Sequence, residues 1–132
     1  MKCVRYLSSV GFDNPKALEL AGEAAEGVVF ARPSYDPEST NEPVRSFASQ
    51  FKAKYGIEPG TYAAHAYDAL RIVAHAIREG GTVPSRIRAA LYEIERFPGV
   101  TGSATIDENG DVEKPISIMV VSHGQFERWP QT

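Results

Sequence analysis

Four groups of residues have the side chains and spacing to raise the question of chemistry. His65 and His75 fall in one helical segment. Ten residues of helix separate them by about 15 Å along the axis and about 80° around it. One ion cannot bridge that gap, and the i, i+4 spacing of helical metal ligands is absent. They read as solvent-facing or locally paired histidines. Asp107-x-Asn109-x-Asp111 has the opening of a calcium loop. However, Val112 stands where such a loop requires glycine, and Ile118 where it requires the bidentate glutamate. The same residues contain Asn109-Gly110, a strong hairpin signal, and a turn is the better reading. Ser8 and Ser9 precede Gly11 at the end of an apolar stretch. They are candidate hydrogen-bond donors to a ligand, although serines in such places commonly cap the local backbone. No histidine is placed to activate either, and no G-x-S-x-G or phosphate-binding loop occurs. No enzyme constellation emerges, and neither a cofactor nor a metal is expected. Among the tyrosines, Tyr67 lies on an apolar stripe and reads as core. Tyr62 is off that stripe, in the first turn of a helix, where a hydroxyl and an aromatic face lie beside a positive dipole end. It is either a ligand contact or a packed surface tyrosine. Tyr35, in a proline-rich stretch, either lines a hinge or anchors its loop.

The composition narrows the classes. The 132 residues suit one compact domain, with 42% hydrophobic and 23% charged residues. A net charge of −3 without a basic run argues against a nucleic-acid surface. The apolar runs are too short to span a bilayer. The start, MKCVRYLSSV, has no sustained apolar segment and does not read as a signal peptide. A lone Cys3 forms no intrachain disulfide and builds no cysteine-rich zinc site.

These residues must be positioned by a chain organised around Thr61 to Gly81. There Ala63, Ala66, Tyr67, Leu70, Val73, Ala74 and Ile77 recur at helical spacing, which predicts a central helix buried on that face. Before it, residues 3 to 10 predict a strand, Asp13-Asn14-Pro15 a helix start, Lys16 to Ala25 a helix and Val28 to Ala31 a buried strand. Two such strands in one sheet should be parallel. Residues 32 to 43 form a proline-rich crossing. A helix follows, with Val44, Phe47, Ala48, Phe51 and Tyr55 on one face, and a third begins at Pro84, its face carrying Ile87, Ala90, Leu91, Ile94 and Phe97. Gly102 to Ile106 reads as a short strand and Ile116 to Val121 as a buried one, with a turn at His123-Gly124.

Three segments in order, LAGEAAEGVVFARPSYDP (20 to 37), YAAHAYDALRIVAHAI (62 to 77) and FPGVTGSATIDENGDVEKPI (97 to 116), carry a resemblance. The chain resembles the C-terminal part of solute-binding proteins of branched-chain amino acid ABC transporters, the Leu/Ile/Val-binding type, from about Ser9 to Phe126. The resemblance implies an α/β fold of the type I periplasmic binding protein kind, with two lobes of mainly parallel sheet flanked by helices. Residues 1 to 33 and 115 to 132 would belong to the C-terminal lobe and residues 44 to 106 to the N-terminal lobe. The stretch around Tyr35 and the one from Asn109 to Lys114 would be hinge crossings.

The resemblance also implies a function without chemistry: capture of a small ligand between lobes and delivery to a membrane permease. Tyr62 occupies the position of a ligand-facing aromatic, with Ser9, Ser8 and Tyr35 as further candidates. The family's amino-acid binders place a carboxylate for the ligand's ammonium where this chain has Val10, beside Ser9. Either another acid serves or the ligand is not a plain α-amino acid, because an unpaired buried ammonium is costly. Amides and small organic acids enter the candidate class. The chain also lacks the family's first two-thirds and its export signal. It therefore reads as an incomplete C-terminal fragment of a periplasmic parent, with bare apolar surface that favours homo-oligomers. The rivals are a ligand-sensing receptor domain of the same fold and an assembly fragment that binds nothing small.

Overall fold

A computed structural model describes residues 5–129, which form two compact units. Cys3 and the start of the first expected strand lie outside the described residues.

The first unit comprises residues 5–33 and 116–129. Strand β1 (Leu7–Ser8) leads through a 3-10 turn (Val10–Phe12) to helix α1 (Pro15–Ala21). The helix begins as the residue types dictate. The Asn14 side chain accepts a hydrogen bond from the Lys16 amide, and Pro15 sits where no amide is needed. The expected helix to Ala25 tightens into a second 3-10 turn, Gly22–Ala25. Strand β2 (Val29–Pro33) pairs parallel to β1, Leu7 opposite Val29 and Ser8 opposite Phe30, as a strand–helix–strand unit requires. The sheet is nevertheless mixed. Strand β6 (Ile116–Ser122) runs antiparallel to β2, and β7 (Gln125–Arg128) antiparallel to β6, giving the order β1-β2-β6-β7. The Asn-Gly-like corner His123-Gly124 closes the β6–β7 hairpin with both residues at positive φ. Strand β6, expected to be buried throughout, alternates instead. Met119 and Val121 are buried while Ile116 and Ile118 remain exposed, because only one face of this unit's sheet is covered. On the covered face Phe12, Phe30 and Phe126 meet edge to face with centroids 5.2–6.2 Å apart.

The second unit spans Ser34–Pro115. Helix α2 (Glu42–Tyr55) stops at Gly56, which adopts the left-handed conformation at φ 73°. Helix α3 (Thr61–Gly80) is the long central element. Helix α4 (Pro84–Tyr92) ends before Ile94 and Phe97. Those two do not continue its face: Ile94 enters the core with Ile72 and Ala104, and Phe97 opens strand β3 (Phe97–Gly99). Strands β3, β4 (Gly102–Ile106) and β5 (Val112–Glu113) form a small antiparallel sheet. The β4–β5 turn is the hairpin expected at Asn109-Gly110. Asp107 Oδ1 accepts from the amides of Asn109 and Asp111, and these bonds hold its carboxyl below the usual range.

The central helix buries a different face from the one its apolar spacing predicts. Ala64, Asp68, Ile72 and Ala76 are buried, whereas Tyr67, Leu70, Val73 and Ile77 are exposed. The helix is apolar on two sides; Ala64 packs on Tyr35, Val44 and Phe47 and Ile72 on Ile94 and Ala104, while the side carrying Leu70, Val73 and Ile77 is left exposed. Spacing alone cannot choose between two apolar faces.

Candidate functional site

The residues singled out by sequence fall in both units. In the first unit, β1 delivers Ser8 to the carboxyl end of two parallel strands, and Ser9 follows it. Ser9 acts as a cap: its Oγ accepts from the Gly11 amide at 3.4 Å and starts the 3-10 turn. Both serines are exposed. That turn carries Val10 and ends on Asp13, whose amide donates to the Val10 carbonyl. Asp13 Oδ1 accepts from Arg32 Nη1 at 2.8 Å, with Arg32 reaching across from the end of β2. The two side chains are 18% (Arg32) and 6% (Asp13) exposed, and Arg32 Nε is buried with no hydrogen-bond partner. Sequence reading missed this pair, since nineteen residues separate its members and only the strand pairing brings them together.

In the second unit, Tyr62 stands in the first turn of α3, 60% exposed. Tyr35 is 5% exposed and sits in the core with Val44, Phe47, Ala64 and Val100, its ring edge-on to Phe47 at 6.2 Å. Of its two sequence readings, the loop anchor describes this packing. Its hydroxyl is buried without a hydrogen-bond partner, and its pKa is raised by burial first and then by the charges of Glu58 and Asp36. Tyr35 also lines a cavity of about 160 Å³ with Ser34, Asp36, Ser39 and Asn41. Tyr67 is not core: it lines an apolar groove of about 380 Å³ between α2 and α3, with Phe47, Phe51, Tyr55 and Leu70.

The most connected polar cluster was absent from the sequence reading. Asp68, fully buried on α3, accepts from the amides of Val100 and Thr101, each at 2.9 Å, and from Thr101 Oγ1 at 2.5 Å. Lys114 donates to Thr101 Oγ1 at 2.6 Å and lies 3.5 Å from Asp68 Oδ2. His65, one turn earlier on α3, is half-buried rather than solvent-facing, with Nε2 buried and unpartnered. Burial, and then the charge of Lys114, lower its pKa, against an opposing pull from Asp68. The signal available in sequence was an aspartate set between Tyr67 and Ala69 on a helix otherwise rich in alanine. This cluster ties α3 to the β3–β4 turn and to the residue preceding Pro115. Asp68, Thr101 and Lys114 are taken up in bonds to one another and to the Val100–Thr101 amides, which reads as scaffold. Among the described residues no group of three or more His, Cys, Asp or Glu could hold a metal, and no helix is long and apolar enough to cross a membrane.

Comparison with known proteins gives one consistent result. Residues 2–125 match the family model described as periplasmic binding protein. The leucine-, isoleucine-, valine-, threonine-, and alanine-binding protein of Pseudomonas aeruginosa is 28% identical over 111 residues, covering 83% of this chain and 29% of that protein. The Leu/Ile/Val-binding protein homolog 1 of Brucella abortus is 27% identical over 118 residues, covering 87% of this chain and 30% of its own length. Among solved structures, the leucine binding protein LivK of Thermotoga maritima superposes with a TM-score of 0.81 at 31% identity, over 94% of this chain and 36% of its own. The branched-chain amino acid substrate binding protein LivJ of Streptococcus pneumoniae, in complex with isoleucine, gives 0.78 at 27%, over 95% and 36%. The chain thus spans about a third of the length of the relatives it matches.

Proposed function

Since the chain belongs to the periplasmic binding protein family, we propose that it is part of an ABC-transporter solute-binding protein that captures a branched-chain amino acid or a related small amphipathic ligand. The single observation that carries this reading is the superposition of nearly the whole chain on the T. maritima leucine binding protein. In this reading the first unit is a piece of the C-terminal lobe and the helices of the second a piece of the N-terminal lobe. The parent is periplasmic and hands its ligand to a membrane permease. Exposed Tyr62 is the candidate ligand contact of the second unit and Ser8 and Ser9 are those of the first, and Tyr35 anchors its own loop in the second unit's core. The work is binding and release rather than bond-making, in keeping with a family of solute-binding proteins. The 132-residue chain on its own associates with further copies through its bare apolar surface.

A thermal-shift and calorimetric screen over branched-chain amino acids, their amides and small aliphatic and aromatic acids tests the reading. Saturable binding that weakens about tenfold in Tyr62→Ala, without loss of fold, is the expected result. No response to any compound would count against it and favour an assembly role, and binding indifferent to Tyr62 would remove Tyr62 from the site.

A further inference from the structure

We propose that Lys114 is the bolt of an acid-sensitive latch: it fastens the paired chain crossings at Ser34 and Pro115 to helix α3, and a proton on His65 draws it. The latch stands on the second unit alone. That the crossings serve as a hinge rests on the solute-binding reading.

The chain passes between its two units at Pro33–Ser34 and at Pro115–Ile116. Within the second unit these passages are tied to each other, the Ser34 amide donating to the Pro115 carbonyl at 3.0 Å. Strand β5 cannot hold them by its own ladder. It pairs only Val112 with Ile106 and Glu113 with Thr105, and so stops one residue before Lys114. The Lys114 side chain, 14% exposed, continues the attachment. Its ammonium donates to Thr101 Oγ1 at 2.6 Å and stands 3.5 Å from Asp68 Oδ2. Asp68 is itself fixed on α3 by the Val100 and Thr101 amides, so Lys114 is bolted to the central helix.

The bolt is balanced in charge, one ammonium against one carboxylate, and His65 lies against that balance. The charged groups that act on it are Lys114, from the end of β5, and Asp68, one turn on along its own helix. Its Nε2 is buried and has no hydrogen-bond partner. An imidazolium donates from both ring nitrogens, and no acceptor waits at Nε2. Burial and Lys114 therefore keep the ring neutral, with a pKa below the ordinary 6.5. Once His65 is protonated, two cations compete for one buried carboxylate. His65 is set in the middle of a long helix, whereas Lys114 has a flexible stem and can carry its ammonium out to water. Lys114 is the one that leaves, and the Ser34–Pro115 pair loses its tie to α3. The fastened form takes the proton less readily than the released one, so falling pH moves the population toward release. In the solute-binding reading the hinge is then more compliant in acid.

Amide hydrogen exchange on the intact, unsubstituted chain at pH 7.5 and pH 5 tests the latch, with rates corrected for the intrinsic effect of pH. Ser34 is the reporter. Gly56, whose amide donates to the Lys52 carbonyl at the end of α2, is the control in the same unit. The expected result is a rise of about tenfold in Ser34 opening from pH 7.5 to 5, with Gly56 changing less than about twofold. His65→Gln and Lys114→Gln should each abolish the acid response of Ser34, the first by removing the proton site and the second by removing the ammonium it repels. Ser34 and Gly56 loosening together would overturn the latch, since acid would then be acting on the whole fold. So would a Ser34 unmoved by acid in the unsubstituted chain, or an acid response that survives either substitution. None of these readouts involves a ligand, so the latch can fail while the solute-binding reading stands.

Discussion

Asp68 and Thr101 are joined twice: the aspartate accepts from the threonine amide at 2.9 Å and from its hydroxyl at 2.5 Å. A third bond, from the Val100 amide, leaves the fully buried carboxylate surrounded by donors from one turn. Removing the carboxylate strands those amides and the Lys114 ammonium together. Asp68→Ala should therefore destabilise the fold by about 3 kcal/mol, whereas Thr101→Val, which removes only the hydroxyl, should cost about 1–2 kcal/mol. Urea denaturation of both variants checks the order. Equal losses would show that the two amide bonds contribute nothing beyond the hydroxyl.

The same turn sets a steric limit at Gly99. A Cβ there would collide with the Asp68 carboxylate and stand 2.8 Å from the Gly102 carbonyl oxygen. The carboxylate is buried and held by three hydrogen bonds and the carbonyl is backbone, so neither gives way cheaply. Gly99→Ala should cost about 2 kcal/mol or more, in line with overpacked cores, despite alanine's gain in chain entropy. Unfolding midpoints of Gly99→Ala and the wild type decide it. A control is Gly60→Ala, where a Cβ meets nothing within 4 Å.

Acid should loosen this region through His65. Its pKa in the folded chain lies below the ordinary 6.5, because burial and Lys114 both disfavour a second positive charge, while Asp68 pulls the other way. The unfolded chain therefore takes up the proton first as pH falls. The contribution of a neutral His65 is complete above pH 6.5 and is lost as pH drops from there toward the folded-state value. Denaturation at intervals from pH 7.5 to 5 should show stability falling below 6.5, with a shallower fall in His65→Leu. Superimposable pH profiles for the two proteins would remove His65 from the account.

Local rules in the sequence were good guides where the deciding chemistry is local. The Asn14 cap with Pro15, the stop at Gly56 and the Asp107–Asp111 turn depend on neighbours a few residues away, and each formed as its residue types dictate. The parallel pairing of β1 with β2 follows from a strand–helix–strand order. The antiparallel return of β6 depends on a segment more than eighty residues later, and no spacing announces it. The face of α3 was misread for a related reason. Ala63, Ala66 and Tyr67 make as good an apolar stripe as Ala64, Ile72 and Ala76, and Asp68 counts against the second stripe until the Val100–Thr101 amides arrive to satisfy it. For the candidate site, Tyr62 and Ser9 could be singled out by position. The Arg32–Asp13 pair could not, because it is assembled by sheet register.

The exposed apolar stripe of α3 makes a surface for association. Leu70 is 69% exposed, Tyr55 56%, Val73 43%, Tyr67 39% and Ile77 38%, all on α2 and α3 beside the apolar groove. Together they expose on the order of 450 Å² of large hydrophobic side chain on one side of the unit, so pairing two copies would bury roughly 900 Å², near the lower limit for a specific interface. A second copy is the expected occupant, because an identical face supplies the same apolar stripe. Area at that limit gives association that depends on concentration rather than an obligate dimer. Light scattering after gel filtration should show the apparent mass of the 132-residue chain rising between about 1 and 100 μM, the range where complexes of such modest area assemble. Leu70→Lys on this face should hold it at monomer mass, with little loss of fold since the side chain is already in water. Leu20→Lys, at a site 77% exposed on the other unit, should leave the association unchanged. A chain that stays monomeric throughout, or one whose association Leu20→Lys abolishes instead, would show that the α2–α3 face is not the surface through which copies meet.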